Sequence, residues 1–301
     1  MKTGGVSPVE RGLRSLWGSA AVLVLPAEPG LRLAYGQDPQ QFGDLYLPAG
    51  PGPHPVVAVI HGGFWRERYN LDHISRLCAA LVDLDVAVWS LEYRRVGCPG
   101  GGWPGTFLDV AAGIAFLQQI TGTYSLDLER LILLGHSAGG QLALWAAAAG
   151  RFPPGHELHV PSWIAPRGVI ALAGVCDLRR AWELNLSDGA AAELLGGSPG
   201  EVPERYAAAS PQDLLPLGVP QTLLHGTEDE DVPLEFSERY VRAARSRGEQ
   251  AAFVPLYGMG HFEAIDPRSL AWEPLSQVLL EMIEPGTNWP AKDMTTAEDF
   301  G

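Results

Sequence analysis

The sequence predicts an α/β fold with a mostly parallel central sheet and helices on both faces. Short apolar runs recur along the 301 residues, and helical patterns fall between them. The runs are nearly continuous in hydrophobicity, as strands buried on both faces are; strands wetted on one face alternate.

The elements follow in chain order. Residues 31–50, LRLAYGQDPQQFGDLYLPAG, set turn residues between apolar stretches and read as an antiparallel hairpin or meander. VVAVI (56–60) is the first parallel strand. LDHISRLCAALVDL (71–84) is a helix, with Ile74, Leu77, Cys78 and Leu81 at helical spacing. VAVWSLEY (86–93) is the next strand. TFLDVAAGIAFLQQI (106–120) is a helix with Thr106 as its expected cap and Asp109 three residues on. LILLG (131–135) is a strand that runs into an alanine-rich helix at 141–149, and GVIALAG (168–174), QTLLHG (221–226) and AAFVPL (251–256) complete the strands. LEFSERYVRAARSRG (234–248) ends in basic residues and Gly248, a helix stop. A last helix is expected over 268–283.

Residues 177–211 break the strand–helix rhythm and carry AAAELLGG, which predicts a small helical, cap-like insertion over the C-terminal edge of the sheet. The whole of 1–283 then forms one domain. The tail, 284–301, is polar and expected to be loosely held.

Composition narrows the function classes. Hydrophobic residues make up 46% of the chain and charged residues 19%, enough for a sizeable core. A net charge of −14 repels phosphate backbones and argues against nucleic-acid partners. No apolar run reaches the ~20 residues needed to span a bilayer, so no membrane partner is expected. Near the N-terminus LWGSAAVLVLPA (16–27) follows Lys2, Arg11 and Arg14; it is short for a signal peptide and reads as an early strand. That favours a cytoplasmic location and leaves secretion open. Cys78, Cys98 and Cys176 form no CxxC pair, so free thiols are expected, with no metal and no cofactor.

The chemistry centres on Gly135-His136-Ser137-Ala138-Gly139, which fits G-x-S-x-G. Chance can produce this pattern, but here a strand precedes it and a helix follows. The glycines keep side chains away from a sharp turn, and the helix N-terminus favours negative charge beside Ser137. A serine needs a base, and YGMGHFEAID places His261 in a glycine-rich loop after a strand. The histidine needs an orienting carboxylate. LLHGTEDEDVP offers Glu228, Asp229, Glu230 and Asp231 after a strand, and Asp177 follows another. Upstream, VIHGGFW (59–65) puts Gly62 and Gly63 after the first strong strand.

These motifs, taken together, resemble the α/β-hydrolase family over residues 31–283, in the chain order serine, acid, histidine. The segment HGTEDEDVP looks like that family's HGxxDxxVP, which implies Asp229 as the acid, with Asp231 next. The HGGFW segment resembles the HGGG-type loop and implies an oxyanion hole built from the amides of Gly63, Phe64 and Ala138, with His61 bracing the loop. YGQDPQQFGDLYLP, HGGFWR, SLEYRRVG, GGGWPGTFLDV and GHSAGGQLALWAA look most like the kynurenine formamidase and small carboxylesterase branch.

The resemblance implies acyl transfer to water through Ser137, His261 and Asp229. Phe64, Trp65, Trp103 and Trp182 are expected near the site, where they would suit an apolar or aromatic group. A small carboxylic ester is the first expected substrate. N-formylkynurenine, the substrate of an arylformamidase, is the alternative. A peptidase and a non-catalytic binding protein on the same fold are lesser ones, and a homodimer remains compatible with the sequence.

Overall fold

The computed structural model describes residues 27 and 30–284. The expected strand at 16–27 and the tail lie almost wholly outside them. Among the described residues eight strands form one sheet: β1 (Leu31–Ala34), β2 (Phe42–Tyr46), β3 (His54–Ile60), β4 (Ala87–Leu91), β5 (Leu126–His136), β6 (Gly168–Leu172), β7 (Gln221–Gly226) and β8 (Ala251–Leu256). Their spatial order is β1-β2-β4-β3-β5-β6-β7-β8. The first two strands are antiparallel, β1 to β2 and β2 to β4. All other pairs are parallel. This is the α/β-hydrolase fold, with the expected meander at its start.

The sheet positions the site through one reversal. From β3 the chain goes to β4 on one side, then crosses to β5 on the other. Loops leaving the carboxyl ends of β3 and β5 therefore diverge from a shared crevice, which is where ligands bind in open α/β sheets. The HGGFW loop leaves β3, and Ser137 follows β5.

Strand composition follows from burial on both faces. Val56, Ala58, Ile60, Leu131 and Leu133 join one core, and Val57, Val59, Ile132 and Leu134 join the other. The period-2 alternation of the pleat sends neighbours to opposite cores, and both must be apolar. The second core is closed by helix α1 (Ser75–Val82), through Leu77, Cys78 and Leu81, and by the C-terminal helix. A short 3-10 turn, Leu71–Ile74, precedes α1.

The other core holds α2 (Gly105–Ala115), α3 (Leu117–Tyr124) and α4 (Ala138–Ala148). Two sequence expectations fail at α2. The helix begins one residue earlier than expected, and Thr106 does not cap it: its hydroxyl donates to Arg94 O at 2.5 Å and accepts from Gly102 N–H at 3.0 Å. Asp109 does not complete a capping box. It takes a bidentate Arg94 guanidinium at 2.7 Å per bond and the Gln41 amide at 2.7 Å. A part-buried Arg–carboxylate pair takes the place of the local capping box, and the Gln41 bond ties the meander to α2. Every residue of α4 is buried, which explains why that helix shows no polar stripe.

The insertion between β6 and β7 is helical, as expected: α5 (Leu178–Glu183), α6 (Ala190–Leu195), α7 (Pro203–Ala209) and α8 (Pro211–Leu214). Helix α9 (Glu235–Ser246) buries Phe236, Tyr240, Val241 and Ala244, and Gly248 follows at φ +79°. Helix α10 (Trp272–Ile283) starts four residues later than expected. Asp266 accepts from the Arg268 amide at 3.0 Å and pairs with its guanidinium, so 266–271 form a turn instead. Among the described residues no helix is long and apolar enough to cross a membrane.

Candidate active site

Ser137 stands between β5 and α4 with φ 56° and ψ −119°. A non-glycine residue there carries strain of about 1–3 kcal/mol, held by its surroundings. The Ser137 amide donates to Leu172 O on β6 at 2.8 Å. Its carbonyl accepts from Gly140 N–H at 3.0 Å, Gln141 N–H at 3.2 Å and Val175 N–H at 3.3 Å. A Cβ on Gly135 would overlap the Gly139 carbonyl, and one on Gly139 would overlap the carbonyls of Ile60 and His61. Those are backbone atoms and cannot rotate aside. Gly139→Ala is therefore expected to destabilise the fold by about 3 kcal/mol, read as a fall in urea midpoint at unchanged m-value.

The loop after β3 lies against this turn. A Cβ on Gly62 would sit 2.8 Å from His136 O and 3.0 Å from Ser137 Cβ. The next three residues have positive φ: Gly63 at 108°, Phe64 at 48° and Trp65 at 58°. This run turns the Trp65 indole inward, against the expectation that it lines a pocket. Trp65 is 1% exposed, and its Nε1–H donates to Gln141 Oε1 at 3.0 Å. The Gln141 amide in turn donates to Ala209 O at 2.8 Å. Trp65 thus braces the loop against α4, as a buried indole N–H requires a partner.

His61 braces the loop from below, as expected. Its Nε2 lies 2.8 Å from Glu92 Oε1, its Nδ1 lies 2.8 Å from Gly62 O, and its ring stacks on Tyr93 at 4.4 Å. Glu92 also accepts from Leu71 N–H at 3.2 Å and from the Arg95 guanidinium at 2.5 Å. Burial alone would raise the Glu92 pKa; His61 and Arg95 outweigh it and hold the carboxyl below its ordinary value. Among the described residues, the amides of Gly63, Phe64 and Ala138 donate to no protein acceptor.

His261 reaches the turn from the loop after β8. Its ring lies 4.5 Å from the ring of His136, and His136 Nε2 is 3.0 Å from His261 O. His261 Nδ1–H donates to Asp229 Oδ2 at 2.7 Å. Both side chains are almost fully buried, 4% and 0% exposed. The Ser137 hydroxyl makes no hydrogen bond to the imidazole in this conformation, and such bonds in free enzymes often tighten only with substrate. Of the five acids considered, Asp229 is the one joined to His261. Asp231 is exposed, and its amide donates to Asp229 Oδ1 at 2.9 Å. Asp177 caps α5 by accepting from Arg180 N–H at 3.0 Å. Asp229 Oδ1 also accepts from Val232 N–H at 2.8 Å. Burial would raise the Asp229 pKa, but the donors from His225 and His261 outweigh it and hold the carboxyl well below the carboxylate range.

Asp229, Asp231 and His261 also present ligand atoms within 4.8 Å of one another. Asp229 already accepts four donors, and His261 Nδ1 is committed to it. The cluster suits an oriented base better than a cation site.

Trp103 precedes α2, and Trp182 lies on α5 of the insertion. Trp103 is half-buried; its ring packs on Phe107 with centroids 5.6 Å apart, and its indole donates to Glu157 Oε2 at 3.2 Å. Its amide donates to Leu194 O on α6 at 2.8 Å. Trp182 on α5 is 41% exposed. Arg66 straps the insertion to the HGGFW loop. It donates to Glu193 at 2.7 Å, to Ser187 Oγ at 3.0 Å and to Ser187 O at 2.6 Å. Sequence reading missed Glu92, Gln141 and His225. The one available signal was a polar residue interrupting an apolar run near a strand or helix end.

The family model described as BD-FAE matches residues 43–243. A probable isoprenylcysteine alpha-carbonyl methylesterase of Oryza sativa subsp. japonica is 27% identical over 241 residues, covering 75% of this chain and 56% of that protein. Esterase LipC of Mycobacterium tuberculosis is 28% identical over 253 residues, covering 78% and 60%. The chain thus spans little more than half the length of these curated relatives. Among solved structures, a truncated carbohydrate esterase from gut microbiota superposes with a TM-score of 0.72 at 21% identity, covering 87% of this chain and 98% of that one. Butyrate-bound esterase 2 of Thermogutta terrifontis gives 0.69 at 20% identity, covering 85% and 93%. These likenesses establish the shared fold.

Proposed function

Because the chain belongs to the BD-FAE family, we propose that it is a serine hydrolase of small carboxylic esters, acting through Ser137, His261 and Asp229. One observation carries the reading. A serine in a strained strand-to-helix turn directly follows His136, whose ring lies 4.5 Å from that of His261, and His261 Nδ1–H is held 2.7 Å from a buried carboxylate. The relatives named as esterases support it.

In the proposed reaction, Ser137 Oγ attacks the ester carbonyl as His261 Nε2 takes its proton. Asp229 keeps the imidazole in the tautomer with Nε2 free and stabilises the imidazolium. The tetrahedral oxyanion is received by the amides of Gly63, Phe64 and Ala138, each such donor being worth ~3 kcal/mol in the transition state. His261 returns the proton to the leaving alcohol. Water, deprotonated by His261, then releases the acid from the acyl-enzyme. Phe64, half-buried beside the turn, and Trp182, exposed on the insertion, are the aromatic groups we assign to substrate contact; Trp103 is assigned to fastening the insertion.

A panel of short and long acyl p-nitrophenyl esters, aryl esters and N-formylkynurenine, compared by kcat/KM, tests the substrate class. Short esters are expected to lead by tenfold or more, about 1.4 kcal/mol of transition-state discrimination. If N-formylkynurenine leads instead, the reaction is an amide hydrolysis at the same residues. Absence of turnover on every substrate would overturn the reading.

A further inference from the structure

The carboxylate that orients His261 is held by a second imidazole. His225 lies near the end of β7 and is fully buried. Its Nε2 is 3.1 Å from Asp229 Oδ2 and 2.9 Å from Val232 O. Both partners only accept, which assigns the proton to Nε2. Its Nδ1 is 2.7 Å from Ser237 Oγ on α9. With a proton on Nε2, Nδ1 can accept from the Ser237 hydroxyl, and the contacts at both nitrogens fix the orientation of the ring. The same Oδ2 takes His261 Nδ1–H at 2.7 Å. One carboxylate oxygen therefore serves two imidazoles.

We infer that His225 is a positioning residue for the catalytic carboxylate, sharing Asp229 Oδ2 with His261 and so limiting how strongly Asp229 stabilises the charged form of His261. This deepens the serine-hydrolase reading and rests on it. The physical reason is competition. An acceptor already engaged by one donor carries less negative charge toward a second. With His225 in place, Asp229 still fixes the tautomer of His261, but it holds the imidazolium less tightly. The base then stays neutral to lower pH. Without His225, the charge of Asp229 falls more fully on His261, and the imidazolium persists to higher pH.

Other charged groups near this pair come from every adjoining element. His136 at the end of β5 is buried, which with His261 and His73 nearby keeps its pKa well below the ordinary value. His73, before α1, is lowered to about 3 by burial and by His61. Both are neutral across the working range and add no titration there. Asp231, on the exposed loop, lies with its carboxylate within 4.8 Å of the pair. Glu263, whose Oε2 approaches Gly260, is a further carboxylate on the His261 side. Neither is altered by a change at 225.

His225→Asn and His225→Gln separate the roles. Asparagine can keep a polar partner for Ser237 but is too short to reach Asp229. Glutamine can place an amide N–H where Nε2 stood. For H225N the acid limb of kcat/KM against pH is expected to move up by about 0.5–1 unit, with the plateau kcat about tenfold lower and KM within about twofold. H225Q is expected to restore the limb to within about 0.2 unit of wild type. A residue that serves folding alone would lower activity without moving the limb, and an unmoved limb in H225N overturns the inference. Should H225N fail to fold, Ser237→Ala releases the ring from α9 and is expected to move the limb in the same direction by a smaller amount; no movement there also overturns it. The nitrogen-15 titration of His261 in the same variants reads the coupling without turnover. A raised midpoint in H225N, in a protein that hydrolyses none of the panel, would overturn the hydrolase reading and leave the coupling standing. An unmoved midpoint with intact Ser137-dependent hydrolysis would overturn the coupling alone.

Discussion

Ser137→Ala is expected to reduce ester turnover by roughly 10⁴–10⁶-fold while leaving substrate binding near normal. The loss falls on kcat because the hydroxyl forms its bond only in the reaction. The strained turn itself survives, since alanine must adopt the same φ of 56°. Ser137→Gly is expected to be equally inactive yet more stable, by about 1 kcal/mol. Glycine relieves the strain of about 1–3 kcal/mol at that φ and gives back ~0.5–1 kcal/mol in unfolded-state entropy. A burst assay with p-nitrophenyl acetate and a urea titration on the two variants check both halves. Turnover in S137A above a hundredth of wild type would remove Ser137 as the nucleophile.

Asp229→Asn is expected to cost about 10⁴-fold in kcat and to destabilise the fold as well. The carboxylate receives His261 and His225 on Oδ2 and the amides of Asp231 and Val232 on Oδ1. An asparagine must turn its NH₂ toward one of these pairs. Facing the imidazoles, it flips His261 into the tautomer that cannot accept the serine proton. Facing the amides, it sets donor against donor in a buried site, a penalty of about 1–3 kcal/mol. The sign of the pH dependence follows from the same contacts. The Asp229 pKa is lowered in the folded state, so the stability it contributes is full above the unfolded carboxylate pKa and is lost as pH falls below it. Asp231→Asn is expected to retain activity within about threefold, since its exposed carboxylate orients nothing. Reversed results for the two aspartates would move the acid to Asp231.

Much of this arrangement was legible in the chain. Continuous apolar runs announced the parallel sheet because its strands are buried on both faces. Gly135 and Gly139 announced the turn because only glycine fits there, so a local clash left a local mark. Long-range partners leave no such mark. Glu92 and His225 each interrupt an apolar run, and nothing in the run says which loop each will hold. Asp229 could be chosen among its neighbours only through resemblance, because four adjacent acids look alike until one is buried under donors. Trp65 misled for a related reason. Its loop does lie against the Ser137 turn, but three consecutive positive φ values turn this one side chain into the core. Thr106 fitted a cap, but its hydroxyl went to Arg94 O and Gly102 N–H in the loop that precedes the helix.

The Arg66 strap has a bearing on how such a protein could be re-tuned. Ser187 and Glu193 belong to the helical insertion, yet through Arg66 they anchor the loop that carries Gly63 and Phe64. A library that randomises 187–193 to alter selectivity therefore also perturbs turnover, and its improved binders will tend to be slow. Holding those two positions constant while varying the exposed face around Trp182 uncouples recognition from rate.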